Sequence, residues 1–215
     1  MRPSAFFFVS CVALSLAQAP RATPVTDSLT HYYAQHDVAG VRRLLGRATT
    51  REERLLVLYR LFPLTLDDAW LADLPSERGM TSAREMALLA ALWAYRAKNA
   101  PAWRLPFFGR RSEGILRRAQ RIDPAEPYVL LVDGQSRYYK PAVFGGDAAA
   151  AYRQFVRLRD RLRGRTVPGL HPLEAEVWMW MSLRRLGHAD AEPLRQRLLA
   201  RRPPPLFRQF LLSPP

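Results

Sequence analysis

The sequence predicts an all-α protein built of antiparallel helix pairs. Three observations carry this. Apolar residues beyond Gln18 recur at helical spacing, and no stretch alternates polar and apolar for long. Two capping boxes, Thr50-Arg-Glu-Glu53 and Ser82-Ala-Arg-Glu85, mark helix starts where a hydroxyl and a carboxylate each satisfy a free backbone donor. Proline and glycine then punctuate the chain where helices begin and end.

The elements follow in order. Thr26 to Gln35 and Val38 to Arg47 form a short pair. Glu53 to Phe62 follows the first capping box, and Pro63 is expected to stop it. The second box opens a helix to about Lys98, whose Met86, Leu88, Leu89, Leu92, Trp93 and Tyr95 go nearly all round, predicting burial. Arg111 to Ile122 is next, ending at Asp123-Pro124. Pro127 opens a helix to about Tyr139, Asp147 caps the following one, and Pro172 opens another through Leu186 with Gly187 as its C-terminal glycine. Asp190 begins the last long helix, to about Arg202. Pro203-Pro-Pro205 then precedes a short amphipathic tail, Leu206 to Leu212.

Of the 215 residues, 48% are hydrophobic, enough to bury a core. The formal charge is +14, yet 31 of the 33 basic residues are Arg, a skew expected of GC-rich coding. The charge alone therefore does not argue for nucleic acid, although attraction to polyanions or anionic lipid holds whatever its origin. One cysteine, Cys11, excludes disulfides within the chain and Cys-based zinc sites. At the N-terminus, Arg2 precedes the apolar run Ala5–Leu16, and small residues follow. This is the pattern of an export signal over residues 1–17, with cleavage after Ala17 preferred to cleavage after Ala19, which would put Pro20 beside the scissile bond. A lipid anchor on Cys11 is the alternative. The expected product is an exported, periplasmic protein with an N-terminal helical segment (18–80), helical repeats (81–202) and a Pro-rich tail (203–215).

Ala119-Gln-Arg-Ile-Asp-Pro124 resembles the end of a tetratricopeptide repeat (TPR). Counting on from Pro124 as position thirty-two of a 34-residue repeat puts Gly134 at position eight, where the family favours a small residue. After a five-residue insertion, Ala151 and Phe155 match the small and aromatic positions of the second helix. Trp178, Met181 and Ser182 fit the next unit. Asp133, Arg137, Arg185 and Leu158 depart from the family pattern, so the repeats are degenerate. The run Pro141-Ala-Val-Phe-Gly-Gly-Asp147 resembles an inter-helix loop of exported bacterial TPR-like proteins, including components of TRAP transporters. In such a loop Gly145 and Gly146 allow a tight reversal, Asp147 caps a helix, and Phe144 is expected to plug the seam.

The resemblance implies a non-enzymatic scaffold that holds a protein or peptide in a concave groove lined by its inner helices. Carried onto this chain, the groove positions are Tyr128, Leu131, Gln135, Tyr138 and Tyr139, then Glu176, Met179, Leu183 and Leu186, with Trp180 alongside. A ligand- or lipid-binding accessory of an envelope transport system is the alternative. Contact with an apolar small molecule or anionic lipid would suit it, the latter through the Arg153, Arg157, Arg161 strip. No HExxH, GxSxG or P-loop occurs, and the mature chain would hold no cysteine, so no cofactor, metal or catalytic group is expected. His31 and His36 diverge around a helix, and His171 and His188 lie at opposite ends of another. The paired acids Glu52-Glu53, Asp67-Asp68, and Glu174 with Glu176 stand at helix starts, where the dipole favours them.

Overall fold

A computed structural model describes residues 24–98, 100–101 and 103–214; the proposed export signal lies outside them. Ten α-helices account for the architecture, with no strand among the described residues. They are α1 (Pro24–Ala34), α2 (Val38–Leu45), α3 (Arg51–Thr65), α4 (Ala83–Lys98), α5 (Leu105–Ile122), α6 (Pro127–Tyr139), α7 (Ala148–Leu162), α8 (Pro172–Arg185), α9 (Ala191–Ala200) and α10 (Pro205–Leu212).

The local signals act as read. Thr50 and Glu53 form a complete capping box on α3. Asp147 accepts from the Ala150 amide at the start of α7, and Gly187 takes a positive φ just after α8. Ser82 accepts from the Glu85 amide, but both Glu85 carboxylate oxygens go to Arg51. Two boundaries differ from expectation. α3 runs through Pro63 to Thr65, because a proline in the last turn forfeits one amide donor while Leu66 N–H still closes on Phe62. α5 begins at Leu105, six residues early, because Pro106 occupies its first turn, where no amide donor is needed.

Four inner helices run parallel. α3 and α4 are tied at their starts by Arg51–Glu85 and near their ends by the stacked rings of Phe62 and Tyr95. Arg84 of α4 bridges Glu52 of α3 and Glu126, the N-cap of α6. The Tyr128 hydroxyl donates to Pro168 just before α8, and Arg185 at the end of α8 donates to the Tyr138 carbonyl. Each inner helix has an antiparallel mate: α2 before α3, α5 after α4, α7 after α6, α9 after α8. Gly134 is where α6 and α7 meet closest. A Cβ there would stand 2.5 Å from the Phe155 ring, so only glycine lets that ring lie on the α6 backbone.

The chain does not end as an open stack. α10 packs against α8, α9 and α1, burying Leu206, Phe207 and Leu211, so the Pro-rich tail docks and brings the two ends of the described chain together. A single apolar cluster extends from Val25 to Leu211, so the helices before α4 share one core with those after it.

Candidate functional site

Inside the helix stack lies a polar centre. Arg60, in the middle of the apolar run Leu55–Phe62, is fully buried. Its guanidinium makes a bidentate pair with Glu174 of α8, at 2.7 and 2.8 Å, and donates twice to the Gly169 carbonyl. Rings of Tyr33, Tyr59 and Tyr128 surround it at 4.4 to 6.0 Å. Burial alone would lower the Arg60 pKa, but the Glu174 carboxylate and the tyrosines hold it well above the usual value, so the guanidinium stays charged. Burial pushes the Tyr33 hydroxyl up to about 12, with Arg60 opposing, and raises Tyr59, Tyr95 and Tyr128 as well. Gly169 has a positive φ, and a Cβ on it would strike Leu56 and the Tyr128 hydroxyl. Only glycine delivers this carbonyl to the guanidinium.

This centre seals the face expected to be a groove. Side chains of α3 reach α4, α6 and α8: Tyr59 meets the Tyr128 ring edge-on and donates to Gln135, and Arg60 reaches Glu174. Tyr128, Leu131, Met179, Trp180 and Leu183 are all buried and Gln135 is half-buried, so these groove positions are covered by the chain itself. Repeat arithmetic assigns these positions to an inner face but carries no information on what packs over it. Glu176 pairs with Arg201 of α9's C-cap. Glu174 stands in the first turn of α8, as expected, and is there also the interior counter-ion of Arg60. The sequence signal for it is a lone Arg60 in the otherwise apolar run Leu55–Phe62, which demands a buried carboxylate elsewhere.

One open depression lies along α10, lined by Pro203, Pro205, Arg208, Gln209, Leu212 and Ser213, and another at the C-terminal ends of the inner helices. Tyr138, Tyr139, Arg184 and Arg185 line a shallow depression of ≈ 470 Å³. Tyr138 and Tyr139 present edges to the Trp178 ring, which stacks on Phe155, and the Arg185 guanidinium covers Tyr138 at 4.9 Å. Tyr139 is 56% exposed, yet desolvation of its hydroxyl and the neighbouring Tyr138 push it up to about 12, so it remains a neutral donor. Beside it runs the 140–147 loop, with Gly145 at positive φ and Gly146 so close to the Lys140 carbonyl that a Cβ would overlap it at 1.9 Å. Phe144 does not plug the seam. The 3-10 turn Ala142–Phe144 leaves it 66% exposed, because the reversal through Gly145 follows it immediately.

Other predicted positions have structural partners. Ala119, Ala151, Phe155 and Ser182 are buried, and the Ser182 hydroxyl donates to Trp178. Pro124 is exposed in the α5–α6 turn. Buried Asp133 accepts from Arg137 and Gln154, which explains a carboxylate where the family has an apolar residue. Leu186 is exposed beside the depression, and Arg153, Arg157 and Arg161 form an exposed row. No group of three His, Cys, Asp or Glu residues suited to a metal occurs among the described residues. Comparison with protein-family models, curated proteins and solved structures finds no match to this chain.

Proposed function

We propose that this protein is an exported, non-enzymatic helical-repeat binding protein that holds a peptide segment of a partner protein. The supporting observation is the depression at the ends of α6 and α8, where two tyrosine rings backed by Trp178 lie beside the arginines 184 and 185. Its shape is open and shallow, which suits an extended chain better than an enclosed small molecule. Its chemistry suits a segment with one aromatic or aliphatic side chain for the tyrosines and a carboxylate for the guanidinia. The TPR resemblance supports the same class of function, while burial of the groove positions favours the helix ends over the inner groove as its working surface.

Selection from a random peptide display library on the purified full chain tests this. Sequences pairing an acidic with an apolar residue are expected to be enriched. Tyr139→Ala with Arg184→Glu is expected to weaken the best peptide at least about tenfold, with circular dichroism unchanged. No enrichment, or equal binding by the variant, overturns the proposal.

A further inference from the structure

Because α3, α4, α6 and α8 run parallel, the turns that follow them fall at one end of the molecule. Turn by turn, that end carries most of the exposed large apolar side chains among the described residues. They are densest after α4, where residues 103–107 are all exposed and include Trp103 (74%), Leu105 and Phe107. The next turn adds Val143 and Phe144. Lys140 of the second turn pairs with Glu113 of α5, the helix that the first turn leads into.

Along the α4–α5 segment the charge has one sign, whereas the turn after α3 carries the exposed Asp67 and Asp68. Between Glu85 and Glu113 the sequence holds no acidic residue and five basic ones. Of these, Lys98, Arg104 and Arg110 are exposed, and the Arg104 guanidinium stands over the Trp103 ring at 4.5 Å. Indole, phenyl and leucyl groups projecting between unpaired cations match a bilayer interface. There the rings enter the acyl boundary and the cations meet phosphates. An acidic protein surface would satisfy the cations but leave three convex apolar side chains needing a complementary pocket. Duplex nucleic acid would offer them no apolar layer at all.

We infer that the α4–α5 turn is a membrane-contacting tip, in which Trp103, Leu105 and Phe107 insert at the headgroup level of an anionic bilayer while Lys98, Arg104 and Arg110 bind its phosphates. The tip is separated from the Tyr139–Arg184 depression by the 140–147 loop, so a partner peptide would be held close to the lipid surface.

The test is co-sedimentation of the full chain with vesicles of phosphatidylcholine alone and of phosphatidylcholine mixed with phosphatidylglycerol. Three variants are compared with the parent, so that any contribution from residues 1–17 is common to all. Trp103→Ser with Leu105→Ser and Phe107→Ser is expected to lower partitioning into the mixed vesicles at least about tenfold. Lys98→Glu with Arg104→Glu and Arg110→Glu is expected to lower it by a similar factor and to abolish its salt dependence. Phosphatidylcholine alone should bind the parent far more weakly. In the parent but not in Trp103→Phe, brominated lipid should quench an additional component of tryptophan emission. All substituted side chains are exposed, so unfolding midpoints should stay unchanged. Equal partitioning of parent and both triple variants overturns the proposal. So does loss of binding to an acidic peptide in the charge variant while vesicle binding persists, which would assign the tip to a protein. Peptide selection at the depression is unaffected by either result.

Discussion

Arginine beside aromatic rings occurs in two regions of this molecule with opposite consequences. In the interior, Arg60 sits among Tyr33, Tyr59 and Tyr128 and donates twice to Glu174 and twice to the Gly169 carbonyl. At the end of the stack, Arg104 over Trp103 and Arg184 with Arg185 beside Tyr139 face solvent. The first cluster is desolvated and closed, so it fixes how α3, α8 and the 163–171 loop sit together. The second is hydrated and incomplete, so its rings and cations are available to something outside the chain. The residue types are shared; burial decides whether they lock or bind.

The largest effect should come from breaking the interior cluster on one side only. Glu174→Ala strands a buried guanidinium and is expected to cost about 3–5 kcal/mol in denaturant unfolding. Arg60→Met combined with Glu174→Leu should cost less than Glu174→Ala alone, since no charge is left unpaired. If the double variant were worse than the single, the pair would be a net source of stability and not chiefly a constraint on geometry.

A smaller effect is expected where α6 and α7 touch. Gly134→Ala pushes a methyl into the Phe155 ring and should cost about 1–3 kcal/mol, measured by the same unfolding titration. Adding Phe155→Leu should recover part of that loss, because the shorter side chain vacates the contact. Lack of recovery would place the strain in the backbone.

The local features were readable because each depends on residues within a few positions of one another. The Thr50–Glu53 box, the Asp147 cap, the Gly145-Gly146 reversal and the small residue at 134 all belong to this kind. The interior pair was not, since Arg60 and Glu174 are 114 residues apart and nothing in their spacing joins them. Repeat register likewise assigns Tyr128 and Leu131 to an inner face, but cannot say that Tyr59 and Arg60 of α3 reach over Tyr128. Phe144 misled for a related reason. Its apolar character suggested a plug, while the direction of its side chain is set by where the turn reverses.

The smallest effect concerns pH. His171 caps α8 by accepting the Leu173 amide on Nδ1, which requires that nitrogen to be unprotonated. Burial, then Arg201 and Arg60, lower its pKa below the ordinary 6.5. The folded state therefore binds the proton less well than the unfolded one. The cap's contribution is complete above pH 6.5 and is lost as pH falls through the lowered value. His171→Asn, which caps without titrating, should flatten the dependence of the unfolding midpoint on pH across that window. An unchanged slope would assign it to other groups.

Closure of the inner face by α3 is the claim on which the contrast between interior and end depends, and hydrogen exchange on the full chain measures it directly. Amides of residues 55–62 in α3 and 129–134 in α6 are expected to exchange together, at the slowest rate in the molecule, with or without bound peptide. Early exchange of 55–62 while 129–134 stays protected would show that α3 lifts away, and would return the partner to the groove.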